Sequence, residues 1–323
     1  MKKVLSLVLA VVMVMSLFAI STAAEADTSK VKVGFIFLHD ENSTYDLNFL
    51  NAAKEACEKL GVEFVMKKNV PEDNSCYEAA ADLADAGCDI VFADSFGHED
   101  YVIEAAKEFP DVQFCHATGT KAHTEGLANY HNAFASIYEG RYLAGIAAGM
   151  KLNEMIKAGK IKAEEAVIGY VGAYTYAEVI SGMTSFFLGA RSVCESATMK
   201  VRYTGSWYDQ GKEQEAATAL IEKDKCVLIS QHADSLGAPT ACELAGVPNV
   251  SYNGSTYSAG KNTFIVSSAI NWAPYFQYII ECAVKGQAID SDWCGDIATN
   301  SAVISGLNQG VAAEGTEAKL KEA

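Results

Sequence analysis

The sequence predicts an α/β protein of two lobes, each a doubly wound, mostly parallel sheet with helices on both faces. Three observations carry that expectation. Short β-rich apolar runs alternate with stretches of helical spacing from residue 31 onward, joined by short connections. The alternation restarts at Ala166 after one long helix. The chain has 323 residues, half of them hydrophobic, which suits about two domains of ~100–200 residues each and excludes a disordered chain.

Read in order, the chain begins with an address. Met1-Lys2-Lys3 is positive, Val4 to Ile20 is apolar, and Ala24-Glu25-Ala26 has the small-x-small form of a signal-peptidase site. Residues 1–26 are therefore expected to be a cleaved signal peptide. No cysteine precedes Cys57 to accept a lipid, so the expected product is a soluble exported protein, periplasmic or, in a single-membrane host, secreted. The first unit then reads as strand 31–38, helix 47–60 closed by Gly61, strand 62–66 and helix 75–86 closed by Gly87. Strand 89–93, helix 101–109 stopped by Pro110, strand 112–116 and strand 127–131 follow. A long helix, 136–158, carries Gly140, Gly145 and Gly149. Flanked by Glu139, Arg141 and Lys151, this spacing is expected to serve packing against the sheet rather than a membrane span. The second unit reads as strand 166–172, helix 178–194, strand 200–204, helix 211–223 and strand 227–230. Helix 239–245, strands 250–252 and 263–269 and helix 273–284 complete it, and the Ala/Glu/Lys-rich tail is expected to fray.

Charge and cysteine content narrow the function. Lys and Arg number 25 against 41 Asp and Glu, a net −16 that repels nucleic acid and anionic membrane surfaces. Nine cysteines are an odd number with no CxxC pair, and most are expected to be buried small hydrophobes. There is no G-x-S-x-G, HExxH, P-loop or G-x-G-x-x-G motif. Ser95 and His98 lie close in sequence without a triad spacing, and His116, His123 and His131 lack a fourth ligand. Neither a metal nor a cofactor is expected.

In such sheets ligands bind beyond the carboxyl ends of the strands, and two lobes side by side place both sets of ends around one cleft. Those ends carry His39 to Asp46, Asp94-Ser95-Phe96-Gly97-His98, Ala117-Thr118-Gly119, Ala173-Tyr174, Trp207-Tyr208-Asp209, His232-Ala233-Asp234, Asn253-Gly254-Ser255 and Asn271-Trp272. Aromatic rings beside carboxylates, amides and hydroxyls suit a flat polar heterocycle or a sugar. Singly, such residues also cap helices or wall cores, so the argument for a site rests on their sum around one cleft.

Several segments also resemble the basic membrane protein (BMP) family of solute-binding proteins. They include Ala93-Asp94-Ser95-Phe96-Gly97, Ala106 to Phe114, His116 to Gly119, Tyr138 to Gly145, Leu188 to Arg191, Trp207-Tyr208-Asp209, Gln231-His232, Ser268 to Trp272 and Trp293-Cys294-Gly295, in family order. The resemblance implies a type I periplasmic-binding-protein fold: two Rossmann-like lobes joined by hinge crossovers, the ligand trapped between them, and delivery to ABC transporter permease subunits. It implies a first lobe of 31–145 plus 263–288, a second of 146–262 plus 289–315, and a frayed tail at 316–323. Ligand-binding roles are implied for Tyr45, Asp46, Ser95, Phe96, Gly97, Thr118, Tyr174, Trp207, Asp234, Asn253 and Trp272, the last four facing the first lobe from the second lobe and hinge. The chain departs from the family at Asp40 to Asn48, which lacks the usual glycines, at Tyr174-Thr175-Tyr176, and at Asn253-Gly254-Ser255.

The function so implied is capture of a purine base or nucleoside by a monomeric receptor feeding an ABC importer, with no catalysis. A second expectation keeps the fold and changes the ligand to a sugar, a furanose-type autoinducer or another small polar metabolite. A third is an exported nucleoside-processing enzyme, for which only Asp40, Glu41 and Asp46 approach a metal-carboxylate cluster. A signalling co-receptor is a fourth.

Overall fold

A computed structural model describes residues 30–323. The expected signal peptide lies outside the described residues. Among the described residues no helix is long and apolar enough to cross a membrane.

The first lobe runs β1 (Lys32–Ile36), α1 (Thr44–Leu60), β2 (Glu63–Lys67), α2 (Asn74–Asp85), β3 (Ile90–Ala93), α3 (Glu99–Glu108), β4 (Gln113–Ala117), a single helical turn α4 (Ala122–Glu125) and β5 (Tyr130–Ala135). The second runs α5 (Ile137–Lys157), β6 (Val167–Gly172), α6 (Ala177–Val193), β7 (Thr198–Tyr203), α7 (Gln210–Glu222), β8 (Leu228–His232), α8 (Gly237–Ala245), β9 (Asn249–Tyr252) and β10 (Phe264–Ile270). The chain then returns as α9 (Ala273–Lys285) and β11 (Asp292–Gly295) and ends with β12 (Ala302–Ser305) and α10 (Thr316–Glu322). The sheet orders are β11-β5-β4-β3-β1-β2 and β12-β10-β9-β8-β6-β7, so each half repeats one winding and borrows its last strand from the C-terminal segment. Every pairing is parallel except β10 with β12.

Both faces of each sheet are covered, as a parallel sheet requires. Val33, Phe35 and Phe37 point to one face and join the core under α1 and α9, while Ile36 points to the other with Leu83 and Val91. The second lobe repeats the scheme with Ile168 and Tyr170 on one face and Val171 on the other. Gly34 and Gly169 occupy the matching position in the two lobes. A Cβ there would come within 2.9 Å of Leu83 and 3.0 Å of Leu220, so each glycine lets a side chain of the covering helix settle on the strand.

The lobe boundaries differ from the sequence-based division. Residues 264–270 form β10 of the second sheet, whereas 263–288 was assigned to the first lobe. Conversely β11, within the stretch 289–315 assigned to the second lobe, pairs with β5 of the first. The expected frayed tail is helix α10, seated on the second lobe with Leu320 against its core. The expected strand at 127–131 is observed as β5 at Tyr130–Ala135. Of the long helix's glycines, Gly140 faces the sheet, a Cβ there lying 3.2 Å from Ser268 of β10, whereas Gly145 and Gly149 face α6. A Cβ on Gly145 would stand 2.0 Å from the Phe186 carbonyl oxygen, and one on Gly189 2.0 Å from that of Tyr142.

Three crossings join the lobes, at 135–137, 270–273 and 295–302. They are tied side by side: the Ser136 N–H donates to the Gly295 carbonyl at 2.7 Å and the Asn271 N–H to that of Ser301 at 2.8 Å.

Candidate functional site

The strand ends of the two sheets meet across a small, largely enclosed cavity. From the first lobe it is lined by Leu38 and His39 after β1, Tyr45 and Asp46 in the first turn of α1, Ser95 and Phe96 after β3, and Thr118 after β4. From the second it is lined by Glu178 in the first turn of α6, Trp207 after β7, Asp234 after β8, and Tyr252, the last residue of β9. Four rings and three carboxylates thus converge, with no Lys or Arg among the described lining residues.

The lobes are closed on one another. The Thr44 N–H and hydroxyl donate to the Asp234 carbonyl at 3.0 and 3.2 Å. The Asn48 side-chain amide donates to the Asn253 backbone and side-chain oxygens at 2.6 and 3.2 Å. At the rim, Phe96 of the first lobe and Tyr176 of the second stand with ring centroids 5.3 Å apart, as do His39 and Tyr208.

Local structure fixes the acidic groups. Ser43 caps α1, and its hydroxyl donates to Asp46 Oδ2 at 2.6 Å while the His39 N–H donates to Oδ1 at 2.7 Å. Burial opposes ionisation of Asp46, but the His39 ring and the Ser43 hydroxyl outweigh it and hold this carboxyl below the usual range. Asp94, directly behind, moves the other way: burial and then the Asp46 charge push it well above the usual range. Its Oδ1 accepts from the Leu38 N–H at 3.0 Å, and its carbonyl accepts from the Tyr45 hydroxyl at 2.8 Å. Asp234 is also raised well above the usual range, by burial first and then by the charges of Asp46, Glu213 and Glu178. Glu213 lies below it, accepting from the Ser235 N–H at 3.2 Å, and burial pushes its own carboxyl up to about 7.

The back wall is Tyr252, whose ring stacks on His232 at 3.9 Å. Burial lowers the His232 pKa, so this ring is a neutral support. Behind both sits Arg141, fully buried, donating to the Ser251 carbonyl at 2.9 Å, Ser230 Oγ at 2.7 Å and the Tyr170 hydroxyl at 3.2 Å. Thr118 is the strained member. It is a buried β-branched residue at φ +64°, a left-handed conformation such residues avoid. Its hydroxyl has no hydrogen-bond partner among the described residues.

Of the residues expected from the sequence, Tyr45, Asp46, Ser95, Phe96, Thr118, Trp207 and Asp234 line the cavity. Four do not. Gly97 turns its N–H to Glu72 Oε1 at 2.9 Å. Tyr174 buttresses from outside, stacked on Tyr176 and edge-on to Trp207, each at 5.0 Å. Asn253 is buried in a left-handed turn at φ +59°, its backbone and side-chain oxygens accepting the interlobe bonds from Asn48. Trp272, expected from the second lobe and hinge, lies in the first lobe's core, stacked on Phe49 at 4.5 Å, because the residue after β10 leads straight into α9. The sequence reading omitted Leu38, Glu178 and Tyr252 and named His39 only within its segment. Glu178 looked like an ordinary acid in a first helical turn. Tyr252 was absorbed as a strand residue, although it is the last of a strand whose end faces the cleft.

Comparison with known proteins fits this geometry. The family described as ABC transporter substrate-binding protein PnrA-like matches residues 35–311. A purine-binding protein of Brucella abortus (strain 2308) is 35% identical over 264 residues, covering 80% of this chain and 70% of the relative. A putative ABC transporter glucose-binding protein of Haloferax volcanii is also 35% identical, over 213 residues, covering 66% of this chain but only half of the relative. Among solved structures, an ABC transporter solute-binding protein of Conexibacter woesei superposes with a TM-score of 0.72 at 21% identity, covering 90% of this chain and 94% of the other. The chain belongs to the PnrA-like (BMP) family of ABC transporter substrate-binding proteins.

Proposed function

We propose, from this membership, that the protein is the extracytoplasmic receptor of an ABC importer and captures an uncharged purine base or nucleoside by closing two lobes over it. The observation that carries this reading is the lining of the cavity: four rings, three carboxylates and no described Lys or Arg. Ring faces stack on a flat heterocycle, and carboxylates accept from its ring N–H, amino or ribose hydroxyl groups. A phosphate would bring about −1.5 to −2 charges against this acidic lining with no described Lys or Arg to meet them, so a nucleotide is disfavoured by repulsion.

Binding proceeds by differential contact. A ligand touching Tyr45 and Phe96 on one side and Trp207 and Asp234 on the other bonds fully only when the lobes are closed, and so shifts the population towards closure. Donors reaching Asp234 offset its burial, and a ligand lacking them leaves a buried carboxyl unpaired. The closed form is the one the permease subunits would read.

A sugar is the second reading, favoured by the Haloferax relative, since rings and carboxylates also wall sugar sites. Calorimetric titration of ligand-stripped protein with adenosine, guanosine, inosine and adenine, beside glucose, ribose and AMP, tests the proposal. The purine reading expects micromolar or tighter binding of at least one base or nucleoside and none of AMP. Saturable binding of glucose alone would replace it with the sugar reading.

A further inference from the structure

A second, wider concavity, open at the rim, adjoins the cavity just described. The two share Phe96, Thr118, Glu178 and Trp207 as a common wall. Beyond that wall the outer chamber is framed by Phe134 at the end of β5, Tyr138 in the first turn of α5, and Tyr176 and Ala177 at the start of α6. Its polar groups are largely committed within the protein: Ser181 Oγ donates to the Glu178 carbonyl at 2.8 Å and the Thr120 N–H to Glu99 Oε1 at 2.7 Å. Tyr138 and Tyr176 border this concave space with 39% and 44% of their surface exposed. Thr118 stands at the junction of the two chambers, strained, with its hydroxyl unclaimed.

We propose that the outer chamber is a subsite for an apolar alkyl or aryl substituent carried by the same ligand whose polar ring occupies the inner cavity. The inference rests on the purine reading above and extends it to substituted purine nucleosides. Two features support it. The inner cavity is the narrower and more acidic of the two. The outer one is walled by rings, adjoins the inner without an intervening strand, and has the Thr118 hydroxyl at the point where a polar ring atom would give way to the substituent.

The test is calorimetric titration of the full chain with adenosine and guanosine as parents. N6-benzyladenosine and 5′-deoxy-5′-methylthioadenosine are the substituted probes, and wild type is compared with Ala177→Trp, which fills the outer chamber. The expected result is that at least one substituted probe binds as tightly as its parent or up to about tenfold tighter in wild type. Ala177→Trp should then lower the ratio of substituted to parent affinity at least tenfold. Parent binding with both substituted probes more than tenfold weaker overturns the subsite and leaves the purine reading standing. An unchanged ratio in a folded Ala177→Trp protein also overturns it. No binding by parents or probes overturns both.

Discussion

Removing one ring from each lobe, singly and together, probes the clamp. Phe96 and Trp207 face the cavity from opposite lobes, and both are half-buried rather than core. Trp207 leans on Tyr174 and Tyr176 at 5.0 and 5.8 Å, and Phe96 on Tyr176 at 5.3 Å, so truncating either leaves the hydrophobic cores untouched. Stacking of a base on an aromatic ring contributes ~1–3 kcal/mol, so Phe96→Ala and Trp207→Ala should each weaken nucleoside binding roughly 5- to 150-fold. If both rings grip one ligand, the double variant should show a coupling energy of about 0.5 kcal/mol or more, because the second truncation acts on a ligand already loosened. Titration calorimetry reads the affinities. Thermal melts guard against unfolding, a shift of about 4 °C corresponding to roughly 1 kcal/mol or more in a chain of this size. Affinity within twofold of wild type for either folded single variant would refute the clamp as drawn, and strict additivity would refute the shared ligand.

Three other outcomes follow from the same geometry. Thr118→Gly should relieve about 1–2 kcal/mol of left-handed strain, offset in part by added chain entropy. Its melting temperature should therefore hold or rise while ligand affinity falls about fivefold; a fall in stability with unchanged affinity would make Thr118 structural. Glu213 holds its proton more tightly folded than unfolded, near pH 7 against 4.5, so its contribution to stability declines as pH rises between those values. Glu213→Gln, compared with wild type by urea denaturation, should gain up to about 3 kcal/mol above pH 7 and little at pH 4.5; a pH-independent difference would contradict this. Trp272→Ala should cost about 3–5 kcal/mol of stability, as for other buried aromatics, measured by the same denaturation series. A destabilisation under 1 kcal/mol would remove Trp272 from the core.

What was legible in the sequence was what local chemistry dictates. β-rich apolar runs such as Val33-Gly34-Phe35-Ile36 marked strands, and Gly61, observed at φ +67°, ended α1 where expected. Because parallel strands deliver their ends to one edge, five of the seven cavity residues found in advance lie just after strands, and Tyr45 and Asp46 open the helix that follows β1. What failed was long-range. The exchange of β10 and β11 between lobes depends on pairings such as Trp293 with Ala133, which no local pattern records. Trp272 resembled Trp207 as an aromatic just past a strand, but the hinge turns one into the core and the other to the cleft. Glu178 and Tyr252 were hidden because a helix-starting acid and a strand tyrosine each have a sufficient local explanation. The tail looked too polar to order, yet Thr316 is buried and Leu320 packs on the second lobe.

Native mass spectrometry of protein unfolded, dialysed and refolded, then offered an equimolar mixture of adenosine, guanosine, inosine, adenine, guanine, glucose, ribose and AMP, puts the candidates in direct competition. The account predicts one dominant complex, one ligand per chain, at the mass of an unphosphorylated purine base or nucleoside. A dominant complex with glucose or AMP, or refolded protein that takes up none of the mixture, would contradict it.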